Sequence, residues 1–118
     1  MSDVAPRPAF DRAAALGRIG GDAELLAEVT AVYMEESAAM IDSLRDAVDA
    51  ADPEAIRRAA HSIKGALLSI GAEPAAEAAL AVERCGATRD LALVRTVLRR
   101  LEGELARLRH ELGGLKRA

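Results

Sequence analysis

The chain has 118 residues, a net charge of −3 and a hydrophobic content of 51%, of which almost nothing is aromatic. This length fits one domain that buries roughly two-thirds of its unfolded surface. The acidic balance argues against a general nucleic-acid binder, because such proteins use an excess of Lys and Arg to displace phosphate counterions.

The N-terminal part predicts a flexible lead followed by a short helix. Residues 1–9 contain two prolines and few apolar groups, so we expect the folded domain to span residues 10–118. A first helix from about Asp11 carries Leu16 and Ile19 on its apolar side. Three glycines are expected to end it: Gly17, Gly20 and Gly21.

A long second helix is predicted from about residue 23 to residue 50. Asp22 supplies the N-cap oxygen and Glu24 lies in the first turn, where the helix dipole favours an acid. The apolar residues that predict its buried face are Leu25, Val29, Val32, Tyr33, Met40, Leu44 and Ala47.

Proline and glycine mark the third and fourth helices. The third runs from about Pro53, capped by Asp52, to residue 70, and Gly71 is suited to a left-handed stop. The fourth runs from about Pro74 to Cys85, and its apolar face consists mostly of alanine. Such small side chains allow neighbouring helices to approach closely.

The last helix, from about residue 89, carries a leucine seam with alternating spacings of three and four. The seam contains Leu91, Val94, Leu98, Leu101, Leu105, Leu108, Leu112 and Leu115. It is typical of either a helical bundle or a dimerising coiled coil. We favour the bundle and a monomer, because the chain has enough other helices to cover the seam. The coiled-coil alternative predicts a mass that depends on concentration.

These elements predict an all-α protein, an antiparallel four-helix bundle with an additional short N-terminal helix. No stretch approaches the roughly 20 apolar residues that span a bilayer, and the N-terminus does not resemble a secretory signal. Cys85 is the single cysteine, so no intrachain disulfide or thiolate metal cage can form. We therefore expect a cytoplasmic chain with no membrane partner, no metal and no cofactor of its own.

One stripe of the third helix carries reactive residues instead of core residues. His61, Lys64, Gly65 and Leu68 are spaced i, i+3, i+4 and i+7 and share one face of the helix. At about 100° per residue the core-type residues point almost opposite to His61, so its imidazole should face water. Those core-type residues are Ile56, Ala59, Ala60, Ile63, Leu67 and Ile70.

The composition of this stripe suggests phosphoryl chemistry. A solvent-facing imidazole with a pKa of about 6.5 keeps an unprotonated nitrogen near neutral pH and can accept a phosphoryl group. Lys64 can offset the charge of phosphoryl oxygens, and Gly65 leaves space beside the ring for an incoming active site. His110, on the last helix, is interpreted as a plain surface residue.

A docking surface is predicted around His61. Arg57, Arg58 and Lys64 form a basic collar that favours phosphate and an acidic partner pocket. Leu68, an apolar residue on an exposed stripe, is interpreted as contact surface. The spacing of Met34, Ile41 and Val48 along the second helix suggests that they extend this surface.

The motif around His61 resembles the histidine-containing phosphotransfer (HPt) domain family. Its signature AH-[ST]-[LI]-KG is matched by residues 60–65, and Gly71-Ala72 follows as in the family. Residues 16–26 are similar to the family's LxxxGGDxELL entry, and Val82-Glu83 stands where an apolar-Glu pair is common. The resemblance covers residues 16 to about 110.

This resemblance implies the same helical bundle and a specific function. In it, His61 is phosphorylated, Lys64 assists the phosphoryl group, and Gly65 permits approach of a response-regulator receiver domain whose aspartate exchanges phosphate with His61. The implied partners are receiver domains and a sensor or hybrid histidine kinase, with magnesium only in the receiver. The chain resembles no kinase catalytic region. The alternative is a non-catalytic helical adaptor that binds the same partners without phosphotransfer.

Overall fold

The computed structural model describes residues 7–115, and all regular elements in that range are helices. They are α1 (Arg12–Arg18), α2 (Ala23–Asp49), α3 (Pro53–Ser69), α4 (Glu73–Gly86) and α5 (Leu91–Leu115). The four longer helices form a ring of neighbours in which α2 packs on α3, α3 on α4, α4 on α5 and α5 on α2. The predicted all-α class and helical bundle are therefore confirmed. Within the described range no helix has the length and apolar character needed to cross a membrane.

Aspartate side chains cap the N-termini of four of the five helices. Asp11, Asp22, Asp52 and Asp90 each accept a hydrogen bond from the backbone N–H three residues further on, at 3.0 to 3.2 Å. Each carboxylate satisfies one of the N–H groups that a helix leaves unpaired at its start, which contributes about 1 kcal/mol per cap. The caps predicted at Asp22 and Asp52 are thus present.

Glycines end two helices in a left-handed conformation. Gly71 has a φ of 76° and follows α3, as the sequence predicts. After α1 the positive φ values are at Gly20 and Gly21. Gly17 lies inside α1, so its prediction as a stop is wrong. Glycine lowers the stability of a helix at an interior position, but it can still adopt the helical conformation, as Gly17 does here.

The leucine seam of α5 lies in the bundle core. Its buried members are Val94, Leu98, Leu101, Leu108 and Leu112. They pack against the core of the same chain, in agreement with the bundle interpretation of the seam.

The buried face of α2 differs from its prediction. Leu25 and Val32 were expected in the core, but they are 40% and 51% exposed. The buried stripe instead passes through Thr30 and Ser37, whose hydroxyls donate to carbonyls of their own helix at 3.1 Å. Because these hydrogen bonds satisfy the hydroxyls, Thr30 and Ser37 can lie in the core. A prediction from apolar periodicity alone overlooks such polar residues and places nearby apolar residues in the core instead.

The N-terminal segment that the structure describes is packed against the bundle. Ala9 is fully buried, and the N–H groups of Ala9 and Phe10 donate to the carboxylate of Glu111 at 2.9 and 3.1 Å. Ala9, the last residue of the predicted flexible lead, thus makes packing and hydrogen-bond contacts that the proline content of the segment does not reveal. Arg7 and Pro8 are exposed, and Arg7 forms an ion pair with Glu77. Residues 1–6 of the predicted lead lie outside the described residues.

We predict that Gly86→Ala destabilises the bundle. A Cβ atom at residue 86 of α4 would lie 2.8 Å from Cγ2 of Ile56 on α3, which is closer than real contacts allow. Overpacking of this kind lowers the free energy of unfolding by about 1–3 kcal/mol. Urea unfolding measures the change.

Gly103→Ala is the matched control for this prediction. A Cβ atom there meets nothing within 4 Å, so the substitution should raise the free energy of unfolding by up to about 1 kcal/mol through helix propensity. Equal stabilisation by both alanines would contradict the close approach of α3 and α4.

Candidate functional site

His61 lies on the outer face of α3. Its side chain is 62% exposed, while Ala60 and Ile63 beside it are buried in the core. This is the orientation that the helical rhythm of the sequence predicts. The ring is therefore open to solvent and accessible to another protein.

Glu83, on α4, contacts the side chains of both His61 and Lys64 of α3. Its Oε1 atom lies 3.3 Å from Nδ1 of His61 and 3.0 Å from Nζ of Lys64. The side chains of Lys64 and Glu83 are 21% and 18% exposed, so the ion pair lies partly sheltered at the α3–α4 seam. One carboxylate oxygen thus holds the imidazole and the ammonium together.

The charge of Glu83 is stabilised by these contacts. The hydrogen bond from Lys64 is the main cause that lowers the pKa of Glu83 below its usual value, and the contact with His61 adds to it. Partial burial acts in the opposite direction and is outweighed. Glu83 is therefore ionised at neutral pH.

An ionised Glu83 determines which nitrogen of His61 carries the proton. A carboxylate only accepts hydrogen bonds, so the neutral imidazole that contacts it places its hydrogen on Nδ1. Nε2 then keeps its lone pair. The nucleophilic nitrogen of the ring is the one that Glu83 does not contact.

The surface next to His61 is unobstructed. A Cβ atom at Gly65, one helical turn further on, would have no heavy atom within 4 Å beyond its own helix and chain neighbours. Leu68, on the same stripe, is 43% exposed, and its carbonyl accepts a hydrogen bond from Arg18 of α1. The stripe therefore presents an apolar side chain and bare backbone beside the imidazole.

The basic collar is partly neutralised. Arg57 forms an ion pair with Glu54, with Nη2 and Oε1 2.5 Å apart, and this pairing raises the pKa of Arg57 and lowers that of Glu54. Lys64 is paired with Glu83. Arg58 is exposed and forms no ion pair within the described range, so it is the collar's uncompensated cation.

The predicted extension of the docking surface along α2 is wrong. Ile41 and Val48 are 8% and 2% exposed, and Met34 is half-buried and packs against the core. Ile41 and Val48 belong to the buried stripe of α2 and line the seam with α5, because a spacing of seven follows the core-facing seam of a bundle helix.

Glu83 is the residue whose role the sequence did not reveal. The sequence only indicated that Val82-Glu83 matches a common pair. Val82 is fully buried, so Glu83 lies at the edge of the buried face of α4. That position was a usable signal, but connecting Glu83 to His61 required knowing that α4 packs against α3.

Comparison with known families agrees with this geometry. The family model described as the Hpt domain matches residues 28–111, which is more than half of the chain. The chain belongs to the Hpt domain family. Hpt domains act in histidine phosphotransfer in two-component signalling, where they interact with receiver domains and histidine kinases. Searches of curated proteins and of solved structures found no match.

The Hpt site contains no apparent set of metal ligands. Within residues 7–115, no three or more His, Cys, Asp and Glu side chains form a group that could hold a metal ion.

We predict that Glu83→Gln lowers stability more at neutral pH than at acid pH. Because the folded-state pKa of Glu83 lies below its unfolded value, the carboxylate contributes stability above pH of about 4.3 and loses it as pH falls through the folded pKa. The difference in the free energy of unfolding should be about 1 kcal/mol or less at pH 7. It should diminish as the pH falls below the unfolded value and through the folded-state pKa.

Urea unfolding at pH 7 and pH 3 tests this, with Glu28→Gln as control. Glu28 is exposed and makes no ion pair within the part of the chain that the structure describes. Its substitution should change stability little at either pH. A Glu83→Gln deficit that persists unchanged at pH 3 contradicts the role of the charge.

Proposed function

We propose that this Hpt domain is a phosphoryl carrier in a phosphorelay and that His61 is the residue phosphorylated. The observation that carries the proposal is the contact between Glu83 and Nδ1 of an exposed imidazole, at 3.3 Å. It leaves Nε2 as a free nucleophile on an unobstructed surface. The matched family supports the same role.

The transfer step follows from this arrangement. The lone pair of Nε2 attacks the phosphorus of an aspartyl phosphate in a receiver domain, and a phosphorus–nitrogen bond forms. The bond from phosphorus to the aspartate oxygen breaks, and the carboxylate leaves with the bonding electrons. Nδ1 keeps its proton, so the ring gains a positive charge that the Glu83 carboxylate stabilises. The reverse step returns the phosphoryl group to the aspartate of a second receiver.

Lys64 supplies electrostatic stabilisation and makes no bond. Its ammonium has three hydrogen-bond donors, of which the contact with Glu83 at 3.0 Å uses one. The other donors are available to phosphoryl oxygens attached one helical turn away, at His61. Any magnesium required for the reaction belongs to the receiver domain in this proposal.

The receiver docks on the stripe around His61. Gly65 allows its active site to approach, Leu68 supplies apolar contact, and Arg58 offers an unpaired positive charge to an acidic receiver pocket. The phosphoryl source upstream is a sensor or hybrid histidine kinase. We further propose that the carrier works as a monomer in the cytoplasm, in keeping with its buried leucine seam and single free cysteine.

We predict that His61→Gln abolishes phosphorylation. Incubation with a phosphorylated receiver should label the natural chain in an acid-labile, alkali-stable form, and the variant should show no label because it lacks the nucleophile. His110→Gln is the control, since His110 is the chain's other histidine and is exposed on α5. Full labelling of His61→Gln overturns the proposal. Binding of the receiver without labelling of the natural chain indicates the non-catalytic adaptor.

We predict that Gly65→Gln slows transfer from a receiver at least tenfold but leaves the chemistry of His61 intact. The added side chain projects into open surface, so it obstructs an approaching protein without disturbing the fold. Phosphoramidate, a small phosphodonor that needs no docking, should label this variant at the natural rate.

Gly103→Gln places the same side chain on an unobstructed position of α5 and should change neither rate. If Gly65→Gln reduces labelling by phosphoramidate as strongly as labelling by the receiver, Gly65 does not act through access.

A further inference from the structure

The α2–α5 seam lies across the bundle from the seam that carries His61. This follows from the ring of contacts among the four longer helices, in which α3–α4 and α2–α5 are opposite pairs. Between α2 and α5 runs a surface groove with an open volume of ≈ 280 Å³ at one end. Arg45 of α2 and Glu102 of α5 line both this opening and a second one toward the far end of α2, and their ion pair lies between the two openings. We call the two openings together the α2–α5 groove.

The α2–α5 groove has the length of a short helix. On α5 its lining extends from Arg95 to Arg109. At 1.5 Å per residue these positions are about 21 Å apart, which corresponds to about four helical turns. An elongated shallow groove of this kind fits a helix better than a compact small molecule.

The groove combines an apolar floor with positively charged sides. The floor is formed by the buried side chains of Ile41, Val48 and Leu98 and by Leu105, which is half-buried. The sides carry the arginines Arg45, Arg95, Arg99 and Arg109, with Asp49 and Glu102 as the acidic members. This positive excess contrasts with the net charge of −3 of the whole chain. It is therefore a local feature that favours an acidic ligand.

Several donors in the groove lack a strong partner within the described residues. Arg95 and Arg99 form no ion pair there, and Arg109 contacts only the Ser37 hydroxyl, at 3.4 Å. The Tyr33 hydroxyl makes no hydrogen bond there either. Burial raises the pKa of Tyr33 to about 12, so its hydroxyl remains a donor at neutral pH. Arg45 is different, because Glu102 accepts from its Nε at 2.7 Å.

We propose that the α2–α5 groove docks an acidic amphipathic helix from a protein partner. The apolar face of that helix would lie on Leu105 and Ala106 at the first opening, and its carboxylates would pair with the arginines on α5. Arg95 and Arg99 are one turn apart at one end of the groove, and Arg109 lies near its other end. A bound helix of about 14 residues could therefore pair acidic residues near both of its ends with these arginines. A nucleic acid is disfavoured, because Asp49 and Glu102 would face its phosphates.

This interaction goes beyond the proposed phosphotransfer and does not require it. A partner held at the α2–α5 groove leaves His61 uncovered on the opposite seam. The carrier can then stay attached to one protein while a receiver visits the imidazole. The groove would thus provide a second, independent docking face.

A designed peptide tests this proposal. The probe is a blocked 15-residue peptide with leucines at helical spacings of three and four, glutamates elsewhere and no aromatic residue. Tyr33 is the chain's only tyrosine and there is no tryptophan, so intrinsic fluorescence reports on the groove directly. We expect a saturable change in tyrosine emission. Arg99→Glu combined with Arg109→Glu should weaken binding at least tenfold, with unchanged circular dichroism.

Arg100→Glu is the matched control, because Arg100 is exposed on α5 but does not line the groove. It should alter binding by less than twofold. The proposal is overturned if no saturable response occurs, if a peptide with lysines in place of glutamates binds equally well, or if Arg100→Glu weakens binding as much as the double variant. Sedimentation of the chain alone as a dimer that Arg99→Glu dissociates would identify a second copy as the occupant and also overturn it.

Labelling of His61 by phosphoramidate separates this proposal from the proposed function. With the peptide bound at saturation, His61 should be labelled at the same rate as without the peptide. A slower rate would contradict the claim that the two docking faces are independent. Failure of labelling both with and without the peptide would count against phosphotransfer, while the fluorescence result would still decide the docking proposal.

Discussion

The close approach of α3 and α4 is the constraint on which the site depends. The buried face of α4 consists largely of alanine, and Gly86 allows Ile56 of α3 to lie where a Cβ atom would clash. Helices that pack over small side chains bring their backbones together. Only at this separation does a glutamate on α4 reach the imidazole and the ammonium on α3. Larger residues on α4 would hold Glu83 away from His61 even if every functional residue were kept.

Glu83 makes two contacts that the proposed phosphoryl transfer would use. It holds the proton on Nδ1 of His61, and it keeps Lys64 beside the ring. In the proposed transfer, holding these groups in place before the reaction would reduce the entropy that must be lost when a receiver arrives. The same carboxylate compensates the positive charge of the ammonium in the resting state, so a cation can remain partly sheltered at the helix seam without destabilising it.

The two opposite seams of the bundle differ in physical character. The α3–α4 seam is tightly packed and holds a small charged site at its outer edge. The α2–α5 seam is looser, with an apolar floor and arginines whose charge the described residues only partly compensate. A rigid seam suits chemistry, because distances must be kept, whereas an open seam suits binding. The single bundle therefore offers different properties on its two sides.

The amino-acid sequence by itself determined the all-α class, the helix boundaries within a few residues and the outward direction of His61. These features depend on local chemistry, namely aspartate caps, glycine stops and helical periodicity, which act within a few residues of the chain. The apolar periodicity of α2 was misleading. Thr30 and Ser37 are buried, with their hydroxyls bonded to carbonyls of the same helix, whereas Leu25 and Val32 are exposed.

Only the tertiary structure decided which side chains act on His61. Glu83 is 22 residues away along the chain, and its contact exists because two helices pack closely. The pairing of Lys64 and the burial of Ile41 likewise depend on neighbouring helices. Spacing within one helix specifies a face, but the distance between two helices is set by the side chains that separate them. That distance determines the chemistry of the site.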